Sequence, residues 1–253
     1  MALTKVGKEG ITGIDNSSDA TAITIDSSER VLIGTTTEGD ASADDLTVAS
    51  SGNTGITIRA GTSNSSSIYM SDATSGAGEY AGYIAYAHAS NSMSFGTNGG
   101  ASMSIDSTGA VTMPKQPAFM AKPASNQSNP ASNTVIEFGT EIFDQNADFN
   151  TSTHTFTAPV TGRYLMCLSM RMDSVDADMN YCRFKIETSN RSYDANIIDP
   201  GVFNGDPTYW NFQTTVLADM DASDTAVIKW NYSGGTNQAD TSTDSTFSGH
   251  LVC

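Results

Sequence analysis

Apolar residues alternate along this chain, but in its first 113 residues the runs are too short to build a core. Ile23/Ile25, Val31/Ile33, Leu46/Val48, Ile56/Ile58, Ile68/Met70, Met93/Phe95, Met103/Ile105 and Val111/Met113 are pairs separated by Asp, Ser, Gly and Asn. Period two broken by turn residues predicts very short β-strands joined by tight turns. A hairpin with so little to bury is marginal by itself. At roughly 1.5–3 kcal/mol per buried aliphatic side chain, it barely offsets the entropy of ordering its backbone. Identical neighbours are the simplest source of the missing core, with three chains pointing their strands at a common axis. One pattern recurs. Ile25-Asp-Ser-Ser-Glu-Arg-Val31 and Ile105-Asp-Ser-Thr-Gly-Ala-Val111 both predict strand, four-residue turn, strand. Two copies do not make a repeat array.

Proline marks the boundary. None precedes Pro114, and Pro114, Pro117, Pro123 and Pro130 then follow closely. Such a run resists regular structure and predicts an extended connection. The expected layout is an N-terminal anchor at 1–14, a β-structured shaft at 15–113, a linker at 114–118 and a second domain at 119–253. That second domain has longer strands. In Arg163–Met172, Tyr164, Met166, Leu168, Met170 and Met172 share one face, while Leu165 and Cys167 make the other face apolar too. A strand apolar on both faces is covered twice. One cover would be the domain's own core and the other a neighbouring subunit. Strands are also expected from Phe119 and over Tyr181–Ile186, Tyr209–Leu217, Val227–Tyr232 and Phe247–Val252, a spacing that fits a β-sandwich or jelly roll.

The residues Asn133-Thr-Val-Ile-Glu-Phe138, Ile142-Phe-Asp144, Phe149-Asn-Thr-Ser-Thr-His-Thr-Phe156, Ala158-Pro-Val-Thr-Gly-Arg-Tyr164 and Phe247-Ser-Gly-His-Leu-Val252 occur in that order. Together they resemble the globular head of complement component C1q and its tumour-necrosis-factor-like relatives. The resemblance runs from about Phe119 to Cys253. It implies a ten-stranded jelly roll, a tight homotrimer, and ligand binding through loops. Phe156, Tyr164, Met166, Leu168 and Phe247 would serve core or trimer packing. The collagen stalk of many relatives is missing, since glycine shows no three-residue period. The segment before Pro114 instead resembles the shafts of viral fibres and the repeats before the tips of bacteriophage tail fibres. Tyr80, Tyr83 and Tyr86 beside Gly78 and Gly82 read either as a widened layer of that shaft or as a sugar-stacking surface.

Composition excludes several classes of partner. The formal net charge of −16 disfavours nucleic acid and anionic membranes. No apolar run approaches the roughly 20 residues that span a bilayer. The first ten residues carry two lysines and no apolar stretch, unlike a secretory signal. Cys167, Cys182 and Cys253 make no disulfide framework and are expected as free thiols.

Catalytic patterns are missing. The three histidines His88, His154 and His250 form no metal-binding or nucleophile-activating motif. Asp176-Ala-Asp178-Met-Asn180 followed by Glu187 mimics a calcium-binding EF-hand loop, but Tyr181 stands where the sharp turn needs glycine. The resemblance leaves a weaker calcium reading at Asp173, Asp176 and Asp178 or at Asp219, Asp221 and Asp224. Both clusters read more simply as solvated loops. Phe203, Tyr209 and Trp210, in a turn-rich loop, read as receptor contacts or as core anchors.

The expectation is therefore an all-β protein, a trimeric β-shaft followed by a jelly-roll head. Its expected role is that of a bacteriophage virion fibre made in the host cytoplasm. It would join other virion proteins through its N-terminus and bind a host-surface glycan or protein, with no cofactor. A capsid-attached structural fibre, a polysaccharide-degrading tailspike enzyme and a secreted lectin-like protein are the alternatives.

Overall fold

The computed structural model describes residues 23–253. They fall into two compact units divided after Ser66. The anchor expected at 1–14 lies outside the described residues.

The first unit holds a three-stranded sheet of β1 (Ile23–Ile25), β2 (Val31–Ile33) and β3 (Leu46–Val48) in that order. β1 and β2 are antiparallel, whereas β2 and β3 are parallel. Leu32 is buried, but Ile23, Ile25, Ile33 and Leu46 are exposed. Arg30 binds Asp26 and Asp44 at 2.6 and 2.5 Å. The strand expected at Ile56/Ile58 is absent, and both side chains are exposed. Alternation alone made no strand there: among the described residues no strand pairs with the segment, and the Ile58 carbonyl accepts instead from the Ser66 hydroxyl at 2.9 Å.

The second unit begins with a sheet of β4 (Ser65–Met70, from Ser67 on), β5 (Gly82–Ala87), β6 (Ser92–Thr97), β7 (Gly100–Ile105) and β8 (Val111–Thr112). β5 to β8 form an antiparallel meander.

The two related heptapeptides fold alike. In each, the residue four after the first strand's end donates its N–H to the Asp carbonyl, at 3.2 Å for Glu29–Asp26 and 3.0 Å for Gly109–Asp106. The Asp carboxylate accepts from the backbone two and four residues on, at Ser28 and Arg30 and at Thr108 and Ala110. The penultimate turn position is left-handed in both, with φ 66° at Glu29 and 88° at Gly109. A Cβ at Gly109 would meet nothing within 4 Å. Gly109→Ala therefore isolates the backbone cost, expected at about 1 kcal/mol and measurable by denaturant unfolding.

Residues 118–252 form a β-sandwich. One sheet has the order β12 (Phe149–Asn150), β13 (Thr155–Thr157), β18 (Thr225–Gly234), β15 (Met179–Thr188) and β16 (Ser192–Ile198), with β10 (Thr134–Val135) also on β18. The other has the order β11 (Thr140–Asp144), β9 (Ala118–Lys122), β20 (Thr246–Leu251), β14 (Gly162–Asp173) and β17 (Tyr209–Met220), with β19 (Asp240–Thr241) also on β14. Neighbours within each sheet are antiparallel.

Alternation along β14 fills the space between the sheets with Tyr164, Met166, Leu168, Met170 and Met172, all at most 3% exposed. Phe119 stacks on Phe149 and Phe156, with centroids 4.9 and 4.7 Å away, and meets Phe247 edge-on at 5.1 Å. Trp230, Phe184 and Phe212 form a second aromatic cluster. Gly162 and Gly249 admit this packing. A Cβ on Gly162 would lie 2.5 Å from Leu251 and 2.6 Å from the Cys253 carbonyl oxygen, and one on Gly249 would lie 2.5 Å from the Met166 sulfur. The Tyr164 hydroxyl donates to the Val160 carbonyl at 2.7 Å, which ties the Pro159/Gly162 turn to the strand it feeds.

Candidate functional site

The outward face of β14 and its neighbours is apolar at its centre. Leu165 pairs with Leu217 on one side and His250 on the other. Cys167 pairs with Thr215 and Ser248, and Ser248 pairs with Met120. A bulge after Glu141 brings Phe143 opposite Met120. Leu217 is 55% exposed and Phe143 48%, while Leu165, Cys167 and Met120 are half-buried. Charged pairs edge the patch. Arg163 binds Asp219, and Arg171 binds Asp173 and Asp244 and lies 4.6 Å over the Tyr209 ring. An apolar centre with a polar rim is the anatomy of a protein–protein interface.

The sheet of residues 67–112 divides its faces similarly. Register puts Ile84 and Tyr86 with Phe95, Met93, Met103 and Ile105 on one side. Tyr83 and Ala85 share the other with Gly96, Ser94 and Ser104. None of these apolar side chains is fully buried. Tyr80, Tyr83 and Tyr86 therefore form no single layer. Tyr86 lies on the apolar face, Tyr83 on the opposite one, and Tyr80 ends the short 3-10 helix Gly76–Tyr80 before β5.

Neither Asp triplet is gathered into a metal site. Among the described residues no three His, Cys, Asp or Glu side chains are grouped to hold an ion. The carboxylates have other partners. Asp173 binds Arg171 at 2.9 Å, and Asp219 binds Arg163 and also Arg191 at 3.6 Å. Asp224 accepts from the Ser189 hydroxyl at 2.6 Å and the Asp221 N–H at 2.7 Å. Asp178 is exposed, and Asp221 caps a turn. Asp176, only 4% exposed, accepts from the Thr236 N–H, from the Thr236 hydroxyl at 2.9 Å and from the Asp178 N–H at 2.8 Å. The EF-hand geometry is excluded directly, because Tyr181 and Glu187 belong to β15.

These carboxylates carry a pH signature. Burial raises the Asp176 carboxyl, but the Thr236 and Asp178 donors outweigh it and hold it below the usual value. The Ser189 hydroxyl, the Asp221 N–H and Asn190 lower Asp224 likewise. A lowered carboxyl stabilises the fold above its unfolded pKa, and that contribution is lost as pH falls through the folded value. Asp148 runs the other way. Burial, reinforced by Asp144, raises it, so its contribution is full at low pH and fades as pH rises through its folded value. Lowered groups outnumber it here. The thermal midpoint is expected to hold down to about pH 5 and to fall below about pH 4. Asp176→Asn should blunt that fall in melts followed by circular dichroism.

The loop residues are placed unequally. Tyr209 is 64% exposed. Trp210 packs against the core and meets the Phe203 ring at 4.6 Å with the planes inclined by 58°, so it anchors the loop. His250 is exposed on β20, whereas His154 lies just before β13 with φ 56° and not within a strand. Cys182 is buried, which pushes its thiol up to about 12, and Cys253 is exposed. Sequence reasoning missed Met120, Phe143 and Leu217 on the outward patch. Their alternation was visible, but the pairing that aligns them with Leu165 was not.

A family model described as the C1q domain matches residues 118–252. Among solved structures, the globular domain of zebrafish complement 1qA protein is similar at 19% identity, covering 55% of this chain and 98% of that chain with a TM-score of 0.43. Murine APRIL at pH 8.0 is similar at 10% identity, covering 55% of this chain and 100% of that chain with a TM-score of 0.42. No curated protein matches the chain.

Proposed function

The chain belongs to the C1q family through residues 118–252, and on that premise we propose that it is a homotrimeric fibre protein of a bacteriophage virion that attaches the particle to its host. The single observation that carries the reading is the uncovered apolar patch around Leu165, Leu217, Met120 and Phe143. A folded chain that leaves such a patch on a sheet already packed on its other side gains by covering it with a copy of itself. The apolar face of the 67–112 sheet supports the same assembly, because none of its apolar side chains is fully buried. In this reading residues 15–113 are the shaft, 114–118 the linker and 119–253 the head. Residues 1–14 join other virion proteins.

The mechanism is binding and not turnover. Three weak sites on one stalk gain avidity through effective concentration. Tyr209 and the exposed Val202 in the loop before it are the head's candidate contacts with a host glycan or protein. The test is adsorption. Fluorescently labelled protein should bind cells of the susceptible host and compete with the phage, and Tyr209→Ala with Val202→Asp should weaken both. Unimpeded adsorption in excess protein would contradict attachment. Antibody labelling of the protein on the capsid, away from the tail, would favour a structural fibre.

A further inference from the structure

The polar face of the 67–112 sheet carries a cavity of about 220 Å³ lined by Tyr69, Tyr80, Tyr83, Ala85 and Gly99. Its rings are inclined to one another. Tyr69 and Tyr80 have centroids 6.1 Å apart with planes at 49°, and Tyr69 and Tyr83 lie 6.4 Å apart at 80°. Two glycines admit this arrangement. Gly96 pairs with Tyr83, and a Cβ there would fall 2.0 Å from the Tyr83 ring. At Gly99 the reason is the backbone, with φ 70°, since a Cβ there would make only ordinary contact with the Tyr80 ring at 3.6 Å. Tyr83 and Ala85 lie opposite the apolar Ile84 and Tyr86. Covering the apolar face therefore leaves the cavity open to solvent.

We propose that this cavity is an aromatic cage for a quaternary ammonium head group of the choline class. Mutually inclined ring faces around a small space suit a compact cation. A flat sugar ring is better served by a single stacking platform. The rings touch one another, with centroids 6.1 and 6.4 Å apart, so a cation seated in the cavity beside them, not between them, lies within the roughly 6 Å over which a ring quadrupole attracts it. The cavity is smaller than the roughly 300–1,000 Å³ sites of drug-sized ligands, which restricts it to one head group. No basic side chain lines it, and the net charge of −16 attracts cations and repels anions. The site lies outside the C1q-matched residues and does not rest on the proposed fibre role.

Calorimetric titration of the full chain with choline chloride tests the cage. The neutral isostere 3,3-dimethylbutanol and methyl glucopyranoside serve as comparisons. Choline should bind, the isostere should bind at least about tenfold more weakly, and the sugar should not bind. Tyr80→Phe should retain choline, because the ring and not the hydroxyl attracts the cation. Tyr80→Leu and Tyr69→Leu should each weaken binding roughly tenfold. Both tyrosines are exposed, at 39% and 59%, so these variants should fold. Gly96→Ala, which displaces the Tyr83 ring, gives an independent check. Equal affinity for the isostere, binding of the sugar in place of choline, or choline binding unchanged in the leucine variants would each overturn the proposal.

Discussion

Leu165→Asp is expected to convert the assembled protein into single, folded chains. Leu165 faces away from the sandwich core and lies opposite Leu217 at the centre of the uncovered patch. A carboxylate there is solvated in a free chain, so the fold survives. In the assembly each copy buries an unpaired charge, at several kcal/mol per subunit. Obligate interfaces bury on the order of 2,000 Å² or more, and a handful of central residues carry most of the energy. Light scattering should show the loss of mass, with an unchanged far-ultraviolet dichroism spectrum. Val202→Asp, on a loop residue that is 76% exposed, should leave the mass as it was. Thiol labelling offers a second reading. Cys167 lies on the same face as Leu165 and should become reactive only in the dissociated variant, while Cys182 stays silent until unfolding.

Phe156→Ala should cause the largest loss of stability. Phe156 is 0% exposed, stacks on Phe119 at 4.7 Å and packs against Tyr164 at 5.4 Å. Deleting a buried phenyl ring costs about 3–5 kcal/mol, from lost transfer energy and the cavity left behind. For a domain of this size that lowers the melting temperature by roughly 10 °C or more. Val160→Ala, four residues on, removes an exposed side chain and should change the midpoint little. In an obligate assembly both midpoints rise with protein concentration, so the variants must be compared at one concentration.

How much of this was legible in the sequence depended on the kind of residue involved. β14 was readable because twelve residues alternate without interruption and both faces are apolar at its start. β15, β17, β18 and β20 were found within a few residues for the same reason. β16 was missed. Its residues, Ser-Tyr-Asp-Ala-Asn-Ile-Ile, alternate as far as Ile197, but a register shift against β15 breaks the phase, so that Tyr193 and Ile198 pack against the core while Ile197 is exposed. The opposite error occurred at Ile56/Ile58, where no strand among the described residues pairs with the alternating segment. Asp176 looked like a loop carboxylate, and its buried role depends on Thr236, sixty residues on. Tyr80, Tyr83 and Tyr86 were visible as a cluster, but Tyr69, which lines the cavity with Tyr80 and Tyr83, was not part of it. The placing of Tyr83 and Tyr86 on opposite faces required the register of β5 on β6.

The central claim is that the outward face of the β14 sheet is covered by copies of this chain. Sedimentation equilibrium of the purified protein across a hundredfold dilution tests it most directly. The expected result is a constant mass of three times the 26.6 kDa chain. A single-chain mass throughout that range, with the fold intact, would contradict it.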